Sequence, residues 1–576
     1  MQKVYFRGEF RMRFWMLRLR ILFLSPAIGV SVCAAALPAV NQLGYTPKAQ
    51  KLAVIPGNDA SPLEIRDMNS GKNVMTVQAP LVYEWNPSGE EVQAFDFSKL
   101  QNPGTYQLVR NGDILGAPIH IAERPYEEVA KAAFKWFYYQ RSSTALDSKY
   151  AGKWARAAGH PDTKVLVYGE KRTISAPKGW YDAGDYGKYI VNSGITVSTL
   201  LDFYENYTAY ADQLVWDIPR EMPKLPLILE EVRWNLDWML QMQDKDGSVF
   251  HKLTTLKFSS TVMPEKDNAD RYAIGKGIAA ALNFAGTLAQ ASVIYKKFDA
   301  AYSAKLLKAA ERAYAWAKKN PKNLYSQPAD VNTGSYQPKD EDGKDEFRFA
   351  AAELYRATQA KKYLDELKTN PANGNGPWWG DLNFLAVYRM ASDEKLFGKE
   401  LYGNAKNILI TEADNLLKEV DSAGYYLAMH PWNWTWGSNS AAANNGIILL
   451  HAYKATGNVK YLNAAQQSLD YLLGKNPLQI SYVTGFGHRS PQHPHHRPSE
   501  ADNVDEPIPG MLVGGPHLGK QDIGKEAWKC EDYAKADKPA LAYLDAHCSY
   551  ATNEVAINWN APFAYLAAAL QAIYLE

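Results

Sequence analysis

Excess charge of either sign is nearly absent from this 576-residue sequence, because 63 Lys and Arg face 62 Asp and Glu and leave a formal net charge of +1. Binding to phosphates normally requires a basic stripe, so the composition argues against nucleic acid or an anionic surface as the main partner. Charged residues at 22% and hydrophobic residues at 46% are ordinary globular values and exclude a disordered chain.

Long hydrophobic runs are also scarce. An apolar run of twelve residues, 21–32, follows the arginine-rich segment 11–20 and precedes three alanines, an order that is typical of a secretory signal. A bilayer-spanning helix needs about 20 residues. We therefore predict a signal peptide over residues 1–36 and a secreted or periplasmic protein with no membrane partner after cleavage, since no second apolar stretch is expected to reach spanning length.

Cysteine is rare, with three residues in the whole chain. Beyond the predicted signal only Cys530 and Cys548 remain, eighteen positions apart. In an oxidising compartment we expect them to form a disulfide, which would stabilise the fold by about 3 kcal/mol. Two independent buried thiols are the alternative.

Two kinds of periodicity divide the rest of the chain. Residues 37–123 contain short alternating segments separated by turns, which predicts a small β-sandwich. Residues 124–576 show long apolar patterns of helical period. The clearest predicted helices are 126–141, 226–243, 272–298, 301–320 and 400–420.

An internal repeat bears on the architecture of the helical part. The sequence Tyr-Arg-Ala-Thr at 355–358, followed by Lys-Tyr-Leu, recurs as Tyr-Lys-Ala-Thr at 453–456, again followed by Lys-Tyr-Leu. In both copies we predict a helix that ends at the Thr, a short turn, and a new helix that begins at the Tyr-Leu pair. Repeated helix–turn–helix units indicate a helical toroid or solenoid.

The first motif that could carry chemistry is the segment 179–186, with Asp182 and Asp185 on either side of a glycine. Two carboxylates on one tight turn can point into the same cleft and deprotonate a water molecule. The alternative is an Asx turn that caps a helix starting near Lys188.

The second motif runs from Ser481 to Arg497 and contains His495 and His496. A His-rich metal tract is one interpretation, but the spacing matches no closed zinc pattern and the neighbouring Arg disfavours a bound cation. Fixed His and Arg donors suit a neutral, hydroxyl-rich ligand better.

The third motif contains Tyr543, Asp545, Tyr550 and Glu554. We predict Glu554 at the start of the last helix, where an acidic residue often only complements the helix dipole. Packed among aromatic rings, the same carboxyl would have a raised pKa, as a general acid requires.

Aromatic residues are abundant, at 12% with 16 Trp. In the segment 431–439, Trp432, Trp434 and Trp436 alternate, so on an extended backbone their rings would share one side and could stack on sugar rings. Water-activating carboxylates, a distant single Glu and an aromatic cleft together indicate a glycosidase.

At these residues the chain resembles glycoside hydrolase family 9, the cellulase family E, over essentially all of 41–576. Segments 41–45, 95–98 and 103–106 resemble its N-terminal immunoglobulin-like module, and the two long family signatures are matched at 481–497 and 543–561. The resemblance implies an (α/α)₆ barrel after an immunoglobulin-like sandwich, and hydrolysis of β-1,4-glucosidic bonds with inversion.

Residue roles follow from the resemblance. It implies that Asp185 is the general base, that Asp182 helps to hold the water and that Glu554 is the general acid. His495 and Arg497 would bind the sugar beside the scissile bond, and Asp545 would have a supporting role. With the aromatic segment, the candidate substrate contacts are Arg497, Trp434, Trp436, Tyr550 and His496. Inversion requires the carboxyls of Glu554 and Asp185 to stand about 6.5–9.5 Å apart.

No cofactor is expected for the chemistry. Relatives often carry a zinc-binding Cys after Gln-Arg, but here Gln140-Arg141 is followed by two serines, which makes zinc doubtful. Asp345 and Glu346 resemble part of a calcium loop interrupted by the insertion 337–344.

Three functions remain open at this point. The leading prediction is an endo-acting β-1,4-glucanase, whose partner is a β-1,4-glucan or cello-oligosaccharide. The alternative is an exo-acting cellodextrinase or exo-β-glucosaminidase with the same acid–base pair. A non-catalytic glucan-binding protein is disfavoured because Asp182, Asp185 and Glu554 are all present.

Overall fold

The computed structural model describes residues 37–337, 342–374, 376–421, 424–525, 528–534 and 537–576. The predicted signal peptide, 1–36, lies outside these residues. The described part is an all-β N-terminal region followed by a helical (α/α)₆ barrel, which confirms the predicted fold class.

Seven strands form the N-terminal region. Two antiparallel sheets, with the orders β1-β5-β4 and β3-β2-β6-β7, enclose a small apolar core that includes Ile65, Phe95 and Leu108. The strands are β1 Leu52–Pro56, β2 Leu63–Asp67, β3 Asn73–Val77, β4 Tyr83–Trp85, β5 Glu90–Asp96, β6 Gly104–Arg110 and β7 Asp113–Ile121.

Sixteen α-helices lie in the described residues after position 126. They are α1 Glu127–Tyr139, α2 Ser148–Ala151, α3 Ile190–Asn206, α4 Thr208–Ala211, α5 Leu227–Gln241, α6 Ile278–Tyr295, α7 Ala300–Lys319, α8 Lys344–Thr358, α9 Lys361–Thr369, α10 Asn383–Ala391, α11 Glu394–Asp421, α12 Ser438–Thr456, α13 Val459–Leu472, α14 Arg497–Ala501, α15 Tyr550–Asn553 and α16 Ile557–Leu575. Short 3₁₀ turns occur at Gly152–Trp154, Pro264–Lys266, Pro431–Asn433 and Pro539–Leu541.

Inner and outer helices alternate around the barrel. The inner helices are α3, α6, α8, α10, α12 and α16, and their outer partners are α5, α7, α9, α11, α13 and α1. Helices α6 and α16 are buried almost along their whole length, because apolar and small residues occupy every face of them. The last helix, α16, packs against α1, α3 and α12 and so closes the ring.

The internal repeat forms the helix–turn–helix units that it predicts. Helices α8 and α12 end at Thr358 and Thr456, as predicted. The next helices begin at Lys361 and Val459, in each case two residues before the predicted Tyr-Leu start. In both turns the Thr hydroxyl accepts the backbone N–H two residues later, at 3.2 Å.

One predicted helix begins later than expected. Residues 272–276 form strand β12 rather than the start of a helix, within a five-stranded sheet of order β10-β11-β12-β8-β9 that the periodicity did not predict. The other strands of that sheet are β8 Val165–Val167, β9 Thr173–Ile174, β10 Lys188–Tyr189 and β11 Phe250–Thr254.

Helix α6 is long and apolar enough to cross a membrane, although the sequence was expected to contain no second apolar stretch of that length. In the structure, 94% of it is buried inside the protein.

The β region packs directly on the barrel. The Trp85 ring lies 4.7 Å from that of Tyr425, and Asn41 Nδ2 donates to the buried Asp470 Oδ1 at 2.7 Å. Gln42 Oε1 accepts the backbone N–H of Arg489 at 3.1 Å, within the second motif.

Candidate active site

Backbone hydrogen bonds bring the three sequence motifs together near the first residues of inner helices α3 and α16. The carbonyl of Asp182 accepts Ile557 N–H at 2.8 Å, and that of Gly184 accepts Arg497 N–H at 2.9 Å. His495 N–H donates to the Asn553 carbonyl at 2.8 Å. Segments more than 300 residues apart in the sequence therefore form one rigid unit.

Gly184 is needed for this close approach. A Cβ atom at position 184 would lie 2.0 Å from the carbonyl oxygen of His495, a distance that no side chain tolerates. The glycine between the two aspartates thus permits contact between the first and second motifs.

Asp182 is fully buried and held by three hydrogen bonds. Asn192 Nδ2 donates to both carboxylate oxygens at 2.9 and 3.0 Å, and the Tyr336 hydroxyl donates to Oδ2 at 2.8 Å. Burial raises the pKa of Asp182 to about 7, and the negative charge of Asp185 adds to the rise, while the Asn192 and Tyr336 hydrogen bonds oppose it.

Asp185 has a different environment on the same turn. Its Oδ2 accepts Gly187 N–H at 2.8 Å, which is an Asx turn, while Oδ1 has no hydrogen bond to a described residue. The Asx interpretation is correct locally, but the helix-cap interpretation is wrong, because helix α3 begins at Ile190 and its N-cap Tyr189 makes no side-chain cap. Asp185 retains 7% of its surface, so a water molecule can reach it.

Glu554 lies between helices α15 and α16, not in the first turn of a helix as predicted. Its backbone is extended and its carbonyl accepts Gly514 N–H at 2.8 Å. Burial raises the pKa of this carboxyl well above its usual value, and the negative charge of Asp185 raises it further, against the lowering effect of Arg497. The dipole-partner interpretation therefore does not apply, and Glu554 is a carboxyl that is biased toward its protonated form.

His495 is a neutral imidazole in this site. Its Nδ1 donates to the His547 carbonyl at 2.6 Å, and burial together with the charge of Arg497 lowers its pKa to about 3. The unprotonated Nε2 is therefore available as an acceptor for a hydroxyl group.

His496 does not face the substrate, contrary to prediction. It is buried, its pKa is lowered to about 3, and its Nε2 lies 3.2 Å from Gln140 Oε1. Gln140 Nε2 in turn donates to the Ala183 carbonyl at 3.0 Å. The side chain thus supports the aspartate turn from behind, because a His that directly follows His495 on extended backbone points the opposite way.

Arg497 and Asp545 lie where the second and third motifs meet. Arg497 Nε donates to the Ser259 carbonyl at 2.9 Å, and its two terminal nitrogens have no hydrogen bond to a described residue. Asp545 accepts the backbone N–H groups of Gln492 and His493 at 2.8 and 2.9 Å. Asp545 therefore positions the loop that carries His495, in keeping with a supporting role.

The three tryptophans do not share one side. Trp436 lies 5.5 Å from Tyr550, beside Glu554, whereas Trp434 packs on Trp85 of the β region at 5.9 Å. Trp432 stacks on His430. The prediction that Trp434 lines the cleft is wrong, because the segment forms a 3₁₀ turn at Pro431–Asn433 instead of an extended strand.

Sequence reasoning missed Tyr336 and Trp528. Tyr336 comes directly after Gly334-Ser335, and this loop is fixed by Lys252 Nζ, which donates to the Gly334 carbonyl at 2.8 Å. Trp528 lies two residues before Cys530, with its ring 4.8 Å from that of His495. In the sequence, only the nearby cysteine pair could have drawn attention to Trp528. In the structure, Cys530 and Cys548 form a disulfide with Cα atoms 5.4 Å apart.

The proposed metal positions do not form a cation site in the described part of the chain. Asp345 begins helix α8, and its Oδ2 accepts Leu382 N–H at 2.6 Å. The described residues contain no group of three or more His, Cys, Asp or Glu side chains suited to a metal. At the position directly after Gln140-Arg141, the Ser142 hydroxyl donates to the His160 carbonyl at 3.4 Å.

Comparison with known protein families decides the assignment. The family described as Glycosyl hydrolase family 9 matches residues 126–567, and the Cellulase N-terminal ig-like domain matches residues 39–113. The chain belongs to glycosyl hydrolase family 9. Both long motifs and all three carboxylates lie inside the matched range.

Individual relatives agree with this assignment over nearly the whole chain. A xyloglucan-specific endo-beta-1,4-glucanase of Bacteroides ovatus is 37% identical over 565 residues, covering 93% of each chain. A cellodextrinase of Butyrivibrio fibrisolvens is 33% identical, covering 91% of this chain and 98% of the relative. The structure of a thermostable endoglucanase from Alicyclobacillus acidocaldarius superposes with a TM-score of 0.85 at 33% identity, covering 93% of this chain and 99% of that one.

Proposed function

We propose that the protein is an inverting endo-β-1,4-glucanase in which Glu554 is the general acid and Asp185 is the general base. The observation that carries the proposal is the contrast between these two carboxyls. Desolvation and the negative charge of Asp185 raise the pKa of Glu554 and so favour its protonated form, whereas Asp185 Oδ1 has no hydrogen-bond partner among the described residues. One proton donor and one proton acceptor are what glycoside hydrolysis by inversion requires.

The reaction then needs no covalent enzyme intermediate. Glu554 donates its proton to the glycosidic oxygen as the bond to the anomeric carbon breaks. Asp185 removes a proton from a water molecule that attacks the anomeric carbon from the opposite face, which inverts its configuration. Glu554 ends ionised and Asp185 ends protonated, and solvent restores both. Asp182, held by Asn192 and Tyr336, shares the water through its carboxylate.

The substrate is proposed to be a β-1,4-glucan because the relatives' names include endoglucanases, a cellodextrinase and a xyloglucan-specific enzyme. A branched glucan such as xyloglucan is therefore a specific candidate beside carboxymethyl cellulose. The exo-acting alternatives on cello- or glucosamine oligomers use the same acid and base. Exo action would require a loop that blocks one end of the cleft, and an aminosugar substrate would also require a nearby carboxylate.

The experiment that tests this function incubates the full chain with cellohexaose, carboxymethyl cellulose, xyloglucan and chitosan oligomers. Chromatography identifies the products while viscosity is followed against the number of reducing ends. A rapid fall in viscosity with mixed oligomers is the expected result. Stepwise release of one small product without loss of viscosity would show that the protein is exo-acting rather than endo-acting. Binding without cleavage would establish a non-catalytic glucan-binding protein.

Replacement of the acid provides the sharpest mutational test. Glu554→Gln removes the proton donor and is expected to lower kcat on cellohexaose by about 10²–10⁴-fold while the Kd changes little. An aryl cellobioside whose phenol leaves without protonation serves as the matched control, since its cleavage should fall much less. Equal losses on both substrates would contradict the role of Glu554.

We further propose that the protein is exported, on the basis of the signal-like residues 11–36 and the Cys530–Cys548 disulfide. Cell fractionation with N-terminal sequencing of the mature chain tests this. A cytoplasmic protein that retains residues 1–36 would overturn it.

A further inference from the structure

We infer that Trp528 forms part of the binding site for the glucosyl unit on the His495 side of the scissile bond, and that the Cys530–Cys548 disulfide holds Trp528 in that position. The inference rests on the proposed glucan hydrolysis and adds a specificity-determining residue to it. Trp528 belongs to the segment between the second and third motifs, outside both.

Five rings form a continuous surface beside Glu554, which we call the aromatic wall. Its members are Trp436, Tyr550, Trp528, His495 and His547. The Trp528 ring lies 4.8 Å from His495, 5.9 Å from His547 and 6.3 Å from Tyr550. Trp436 extends the wall through Tyr550 at 5.5 Å.

The position of Trp528 is unusual for a tryptophan that serves only packing. It is partly exposed, and it does not join either of the two hydrophobic cores of the described residues. Its contacts with His495, His547 and Tyr550 are inclined at 63–69°, so none of these rings is stacked on the indole face. The partly exposed indole therefore offers surface that a ligand can contact.

The indole also offers a polar group. Trp528 Nε1 has no hydrogen bond to any residue that the structure describes. An apolar face combined with one N–H donor is the combination that suits a pyranose ring, which presents C–H groups on its face and hydroxyl groups at its edge. The neighbouring His495 adds an acceptor, its unprotonated Nε2.

Two independent links tie Trp528 to the third motif. The disulfide joins Cys530, two residues after Trp528, to Cys548, two residues before Tyr550. Asp522 accepts the Ser549 hydroxyl at 2.8 Å and Ala551 N–H at 3.0 Å. Since the Asp522 link survives reduction, loss of the disulfide should loosen Trp528 without releasing the whole segment.

The test compares Trp528→Ala and Trp528→Phe with Trp432→Ala, which removes an exposed ring stacked on His430 instead of His495. For Trp528→Ala we expect KM for cellotetraose to rise about tenfold with kcat changed less than about threefold, which corresponds to about 1.4 kcal/mol of binding. Trp528→Phe should lie between wild type and Trp528→Ala, and Trp432→Ala should match wild type.

A second experiment measures cellotetraose binding in a variant that does not cleave the substrate. In the Glu554→Gln background, calorimetry should show the same loss in cellotetraose affinity for Trp528→Ala. The double variant Cys530→Ser, Cys548→Ser should show a smaller loss of the same kind with a cooperative thermal transition. If Trp528→Ala fails to fold, Trp528→Phe and the double variant decide the question.

Unchanged KM and Kd in Trp528→Ala, with wild-type cleavage intact, would overturn the inference and leave Trp528 as a cover for the disulfide. Absence of glucan cleavage and binding by the wild type would instead overturn the proposed function. The two failures are therefore distinguishable.

Discussion

The carboxylates and the aromatic wall lie side by side but are held in place by different interactions. Asp182 is buried and fixed by side-chain hydrogen bonds, and the Glu554 backbone is fixed through its carbonyl, whereas the aromatic wall is held by ring contacts, one disulfide and the Asp522 anchor. Hydrogen bonds in a buried site fix atoms to within tenths of an ångström, as proton transfer requires. Ring contacts are less directional and tolerate small shifts, as sugar binding allows.

This difference predicts that changes in the carboxylates alter kcat, whereas changes in the aromatic wall alter KM. Four substitutions, in three experiments, test the distinction, beginning with the largest expected effect.

Asp185→Asn removes the proposed base while keeping the Oδ atom that accepts Gly187 N–H. We expect kcat on cellohexaose to fall about 10²–10⁴-fold with KM little changed. Steady-state kinetics on purified protein measures both constants. A rise in KM with unchanged kcat would contradict the proposed difference between carboxylates and aromatic wall, because it would show that Asp185 acts only in substrate binding.

Tyr336→Phe removes one hydrogen bond from Asp182 and leaves the ring in place. That hydrogen bond favours the ionised carboxylate and opposes the burial that raises the pKa to about 7. Its loss should raise the pKa of Asp182 further, so the acid side of the kcat profile moves to higher pH and activity falls most below neutrality. A pH profile from 4 to 9 would contradict the role of Tyr336 if its acid side did not move.

Trp436→Ala and Trp434→Ala form a matched pair with smaller effects. Trp436 belongs to the aromatic wall, so KM should rise about three- to tenfold with the melting temperature nearly unchanged. Trp434 packs on Trp85 and Tyr471, so its loss should cost about 1–3 kcal/mol of stability and leave KM unchanged. Thermal unfolding and initial rates separate the two, and the reverse pattern would refute the placement of Trp434.

Local sequence patterns predicted much of this fold because they report local physics. Alternation predicted the strands of the β region, and the repeated Thr that ends helices α8 and α12 predicted two helix–turn–helix units. The resemblance to a family predicted that Asp182, Asp185 and Glu554 act together, and in the structure both aspartates are near enough to Glu554 to raise its pKa.

Features that depend on distant contacts could not be predicted. Tyr336 reaches Asp182 from 154 positions away, and its own position depends on Lys252. Trp434 was misplaced because Pro431 begins a 3₁₀ turn, which rotates the following residues out of an alternating pattern. Trp528 gave no periodic signal at all, since it lies in an irregular segment.

The closure of the ring by α16 has a consequence for how the enzyme is made. Because Ile557 N–H holds the Asp182 carbonyl and α16 packs between α1, α3 and α12, the aspartate turn lacks its partner until the ribosome has released residues 557–575. Contacts of such long sequence separation form late in folding. A chain that lacks this helix is therefore expected to leave the aspartate turn unsupported and to hydrolyse no glucan.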